Sequence, residues 1–164
     1  MIETFGASSG FAAEAASSNS SATVIVPIEI TKSADLIFGK FAPGDGGEVT
    51  VDTDSARTTT GTIPSVSGAS PTAAKFDVTG DGNSTYAITW SGATELTDSG
   101  SSETMALSNI SDVTGAGATS GEVVEGMLNG SGAQSIYLGG ELTVGASQAD
   151  GNYIGDVTAT VEHN

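Results

Sequence analysis

The single histidine of the chain, His163, is its next-to-last residue, and the chain has no cysteine. Acyl transfer at a serine needs a general base held within about 3 Å of the hydroxyl, a geometry that chain ends rarely keep. A serine–histidine pair is therefore not expected. Thiolate nucleophiles, thiolate metal sites and disulfides are excluded by composition. Lys32, Lys40 and Lys75 remain as partners for a serine–lysine arrangement, but in so serine-rich a chain such pairings are easy to draw and carry no specificity. Carboxylate pairs for glycoside hydrolysis are equally unspecific among 20 acidic residues. The expectation is a protein that is not an enzyme and holds no cofactor.

Calcium is the one cation the residue types invite, because hard cations are bound by carboxylates and carbonyls gathered on turns. Asp77, Asp81 and Asn83 form a D-x-x-x-D-x-N run. It lacks the twelve-residue loop and terminal glutamate of an EF-hand, so it signals metal only weakly. The competing reading is a hairpin turn that uses Asp, Gly and Asn for their backbone tolerance. Asp45, Asp52, Asp54, Asp150 and Asn152 admit the same two readings. Trp90, Tyr86, Tyr137 and Tyr153 could stack on sugars, yet they fall within predicted strands, where core packing explains them better.

The elements that would position these residues are strands. Val24, Val26, Ile28 and Ile30 share one parity in T-V-I-V-P-I-E-I-T at 23–31, which predicts a strand with one buried face. Pro27 cannot donate a ladder hydrogen bond and places this strand at an edge. Further strands are expected at 36–41, 48–51, 57–63, 75–79, 85–90, 104–110, 135–138, 141–144 and 153–161. Pro43 to Gly47, Gly80 to Asn83 and the Gly139-Gly140 pair would serve as turns. Only 121–128 has any helical character, and it is short enough for one turn of helix or an irregular strand. Short strands at regular spacing between Gly-rich turns define an all-β, antiparallel sandwich, immunoglobulin-like or pilin-like in character. We read residues 1–21 as an N-terminal extension and 22–164 as the sandwich domain.

Charge narrows the partners. With 20 acidic and 4 basic residues the formal net charge is −16, so nucleic acid and anionic membrane surfaces are repelled. No apolar run approaches the roughly 20 residues a membrane helix needs, and no membrane insertion is expected. The small-residue stretch Gly10 to Ala16 is similar to the tail of a secretion signal.

Several stretches together resemble the bacterial family known as domain of unknown function 4402, from about Ala22 to the C-terminus. They are T-V-I-V-P-I-E-I-T-K-S-A-D-L-I-F-G at 23–39, F-D-V-T-G at 76–80, Y-A-I-T at 86–89, L-G-G-E-L-T-V at 138–144 and G-A-S-Q-A-D-G-N-Y-I-G-D-V-T-A-T-V at 145–161. The resemblance implies a secreted β-sandwich at or outside the bacterial cell surface, and it brings no catalytic residues. A looser likeness is to chaperone–usher pilins, whose N-terminal strand completes a neighbouring subunit. It rests on the alternation at Val24, Val26, Ile28 and Ile30, on the Ser33 to Phe38 segment and on the G-N-Y-x-G-x-V-x-A-x-V run at 151–161. That likeness implies a head-to-tail homopolymer, with a periplasmic chaperone and an outer-membrane usher as partners.

A sandwich that lacks one strand exposes unpaired edges and an apolar groove, which a strand from the next subunit can fill. Residues 22–31 are the first candidate donor. A second lies upstream, where Phe5 and Phe11 share a parity with Ala7, Ala13 and Ala15. Two functions compete: a structural subunit of an extracellular filament or pilus-like surface assembly, and a monomeric secreted adhesin or binding module for glycans or cations. They differ in whether the N-terminal strand leaves its own domain or pairs at home.

Overall fold

The computed structural model describes residues 13–64, 66 and 70–164. Among them are eleven strands, all paired antiparallel, and no helix: β1 Glu29–Ala34, β2 Gly47–Val51, β3 Arg57–Thr59, β4 Ala74–Thr79, β5 Thr85–Gly92, β6 Glu95–Asp98, β7 Thr104–Asp112, β8 Glu125–Met127, β9 Ala133–Val144, β10 Tyr153–Ile154 and β11 Val157–His163. They form two layers. The larger sheet runs β1-β4-β9-β7-β6-β10, with β2 joined to β9 and β3 to β2; the smaller runs β11-β5-β8. The architecture is an antiparallel β-sandwich, as the strand spacing predicts.

The long strand β9 organises the larger sheet. One of its edges pairs with β7 from Tyr137 to Thr143, while the other pairs first with β4, from Ala133 to Leu138, and then with β2, from Gly140 to Val144. Its even-numbered residues face inward, and they feed two clusters. Ile136 and Leu138 join Phe76, Val78, Tyr86, Ile88 and Leu128, buried between the two sheets. Leu142 and Val144 join Val49, Val51, Met105, Leu107, Phe38 and Ile63. Phe38 and Ile63 come from connecting segments, so loops cover much of that end of the large sheet, with Val157 of β11 packed against the cluster from the small sheet.

Three sequence expectations are corrected. Gly139-Gly140 is not a turn: it lies inside β9, neither residue has a positive φ, and the glycines are required by close approach instead. A Cβ on Gly139 would sit 2.2 Å from the Val51 carbonyl oxygen, where β4 gives way to β2 along the same edge. Second, 36–41 is no strand. Gly39 turns the chain with φ 75°, Arg57 Nη1 donates to the carbonyls of Phe38 (2.9 Å) and Lys40 (3.0 Å), and Ile37 makes a lone bridge to Thr72. Third, 153–161 is divided at Gly155-Asp156, so that β10 belongs to the large sheet and β11 to the small one. Strand 57–63 is shorter than expected, ending at Thr59, while 121–128 contributes the short β8.

Candidate subunit interface

The N-terminal candidate strand divides at Pro27. From residue 13 to residue 27 every side chain is exposed and no residue belongs to a strand. Val24 is 95% exposed, Ile25 53% and Val26 55%. The expected buried face therefore does not form at Val24 and Val26 within this chain. Downstream, Ile28 and Ile30 pack against the inter-sheet cluster, and β1 pairs with β4 from Glu29↔Thr79 to Ala34↔Lys75. Pro27 has no amide hydrogen to offer a ladder, which explains why pairing starts only beyond it. The four residues that the sequence groups together thus have two fates: Ile28 and Ile30 are seated at home, and Val24 and Val26 face solvent. Phe5 and Phe11, the second candidate donor, lie outside the described residues.

The candidate cation ligands lie apart in role. Asp77 stands in mid-β4, where its carboxylate accepts from Ser135 Oγ at 2.7 Å and pairs with Lys75 Nζ at 3.0 Å. The Ser135 hydroxyl, followed by the Lys75 ammonium, holds this carboxyl below its ordinary range. Asp81 and Asn83 are exposed on the turn between β4 and β5, and Asn83 adopts φ 61°, the left-handed conformation the turn reading requires. Among the described residues no three His, Cys, Asp or Glu side chains gather as a metal cluster would.

Two of the three lysines are also committed. Lys32 pairs with Asp35 and Lys75 with Asp77, and in each case the neighbouring carboxylate raises the ammonium above its ordinary value. A lysine acting as a general base needs the opposite shift. Of the four candidate aromatics, Tyr86 is fully buried and donates to Gln134 Oε1 at 2.7 Å, Trp90 packs edge-on to Phe76 while its Nε1 donates to the Val123 carbonyl at 2.9 Å, and Tyr153 packs against the other core cluster, whereas Tyr137 is half-buried and belongs to neither cluster.

Two carboxylates emerge as structural pins: Asp98, which the sequence leaves undistinguished, and Asp52, one of the residues it offers as a cation ligand or a turn former. Asp98 is 6% exposed and accepts four hydrogen bonds, from Ser101 N (2.7 Å), Ser101 Oγ (2.8 Å) and Gly100 N (3.1 Å) on one oxygen and Asn152 N (2.9 Å) on the other. It ties the β6–β7 turn to the approach to β10, and the Ser101 donors hold its carboxyl below the ordinary range. Asp52 is buried and caps the turn after β2 by accepting from Asp54 N at 3.1 Å and Ala56 N at 2.8 Å. Burial, with the Asp54 carboxyl beside it, pushes the Asp52 carboxyl up. An Asp followed by small polar residues is the only sequence trace of either pin, and it recurs throughout this chain.

An antiparallel sandwich with an unpaired apolar segment leading into its first strand belongs to the β-sandwich class. More narrowly, the chain belongs to the family described as domain of unknown function (DUF4402), whose model matches residues 28–163. The match opens at Ile28, the residue with which the chain first packs against its own core, a few residues beyond the start its motifs suggest. A comparison with curated proteins finds no match.

Proposed function

We propose that the protein is a structural subunit of an extracellular bacterial filament or pilus-like surface assembly, joined head to tail by a β-strand that each subunit donates from its N-terminal segment. The observation that carries this reading is the exposed trio Val24, Ile25 and Val26 immediately ahead of β1. Single exposed apolar residues are ordinary on protein surfaces, but three consecutive β-branched ones outside any strand form a segment that gains by pairing elsewhere. Alternation supplies the chemistry: Val24 and Val26 enter the neighbour's core while Thr23 and Ile25 face outward. Seating each valine is worth about 1.5 to 3 kcal/mol before ordering costs, so the pair suffices to weaken or strengthen a contact by orders of magnitude. A contact made between unlike surfaces does not close on itself and propagates as a fibre. A free apolar strand and an unfilled groove would need shielding before assembly, and a periplasmic chaperone and outer-membrane usher of the pilin kind fit that need.

The test is the mass in solution of the full chain, with negative-stain electron microscopy, for the wild type and for Val24→Asp. The reading expects multimers or filaments from the wild type. Val24→Asp, which alters only an exposed residue of the subunit but would bury an unpaired charge in the neighbour, should yield folded monomer. A wild type that stays near 16.1 kDa at all concentrations would overturn the reading in favour of a monomeric binding module.

A further inference from the structure

We propose that the donated strand, residues 20–26 of a second copy, is received along the outer edge of β11, on the side of the sandwich where β11 and β1 face each other. This assignment rests on the strand-donation reading and adds the acceptor to it. Among the described residues β11 pairs only with β5, and β1 only with β4, so both strands present an unpaired edge. The two come within 8 Å of each other. Both edges therefore lie on one side of the molecule.

That side is where the core is incompletely covered. Val78 and Ile136, deeper in the inter-sheet cluster, are 0% exposed, whereas Val157, Ala159 and Val161 of β11 and Ile28 and Ile30 opposite them are only half-buried. A row of half-buried apolar residues at period two, along an unpaired edge, is the form a sandwich takes when it lacks one strand. The other free edges offer less. β11 has seven residues, against six in β1, three in β8, three in β3 and two in β10, while β6 is paired on both sides by β7 and β10.

The donor fits this edge in length, spacing and charge. Residues 20–26 also number seven, and Ala22, Val24 and Val26 repeat the spacing of Val157, Ala159 and Val161. From Ala15 to Ile28 no side chain is charged, in a chain of net charge −16, so this segment approaches a second copy without carrying like charge to it. The segment does not fill the groove of its own subunit. With Ile28 seated and β1 starting at Glu29, a return along β1 would leave Pro27 and Ile28 as a two-residue hairpin loop. The favoured two-residue turns need a positive φ at their first position, and proline fixes φ near about −65°. The occupant is a second copy.

Two complementary variants test the assignment. Val24→Asp can accept a strand but not donate one, and Ala159→Asp can donate but not accept. Each alone should be monomeric, and an equimolar mixture should give a one-to-one dimer that grows no further, read by sedimentation and mass. Should Ala159→Asp assemble as the wild type does while Val24→Asp does not, donation stands and the β11 assignment falls. Should both assemble, the donation reading itself falls. Because Ala159→Asp could fail to fold, a second measurement uses the chain's lack of cysteine. Mild oxidation of mixed Val24→Cys and Ala159→Cys proteins should give the disulfide-linked dimer. Linkage of Val24→Cys to Met127→Cys at the β8 edge, with none to Ala159→Cys, would overturn the assignment.

Discussion

Replacing Gly139 by alanine tests how the larger sheet is built, because the continuous strand β9 and a Gly-Gly hairpin respond differently. A Cβ on Gly139 would lie 2.2 Å from the Val51 oxygen, 2.9 Å from the Asp52 carbonyl carbon and 3.1 Å from its oxygen. All three are backbone atoms, so no side chain can swing aside. The β2 strand would have to retreat by roughly 1 Å to restore van der Waals separation. Retreat strains the Val51↔Gly140 pairing, the fully buried Val51 and the turn capped by Asp52. Overpacking of this kind costs about 3 kcal/mol, a fall in melting temperature of roughly 6–12 °C for a domain of this size. Gly140 differs in degree: its Cβ would meet the ends of Leu107 and Phe38 at 3.1 Å, which can shift, and the Ser108 carbonyl oxygen at 3.2 Å, which needs to give by only a few tenths of an ångström, so Gly140→Ala should cost only about 1 kcal/mol. Circular-dichroism melting, with each glycine replaced in the Val24→Asp background that strand donation expects to be monomeric, keeps assembly out of the measurement. In a hairpin both glycines would occupy turn positions and both substitutions would cost about the same, near 1 kcal/mol. Equal small losses would refute the continuous strand.

Two further predictions concern pH. The Asp98 carboxyl is held below its unfolded value of about 3.9, so its contribution is present above about pH 4 and is lost as pH falls through the folded value. Asp98→Asn should therefore be markedly less stable than the wild type in urea at about pH 7, with the gap narrowing as pH falls below about 4; a gap that stays constant would count against the pin. Asp52 has the opposite sign. Its raised folded value makes its contribution greatest in acid and lost as pH rises through that value. Asp52→Asn keeps an acceptor for Asp54 N and Ala56 N while removing the buried charge, and should raise the urea midpoint near neutral pH but not in acid. Destabilisation at neutral pH would show that the charge itself is needed.

The sandwich was legible because its signals are local. Alternation in K-F-D-V-T and T-Y-A-I-T-W marks β4 and β5, and the Asp81 to Asn83 turn between them uses a residue that tolerates positive φ. Gly139-Gly140 misleads because glycine serves two needs, positive φ and close approach, and only the neighbouring strands decide between them. Phe38 looks like a strand residue because it is buried, yet Arg57, distant in sequence, satisfies its carbonyl. At the N-terminus the alternation from Val24 to Ile30 is real, but a period reports only that two faces differ. It does not say in whose core the apolar face is buried, and Pro27 is the sole local mark of the place where Ile28 and Ile30 part from Val24 and Val26.

Amide hydrogen exchange of residues 22–26, followed in the wild type and in the Val24→Asp protein, which strand donation expects to be assembled and monomeric respectively, tests strand donation most directly. In the monomer these amides have no partner and should exchange at the rate of a free chain, while those of β1 and β4 are protected. Strong protection of residues 22–26 in the assembled protein, matched by new protection along β11, is the predicted result. Assembled protein in which residues 22–26 exchange as fast as in the monomer would contradict the account.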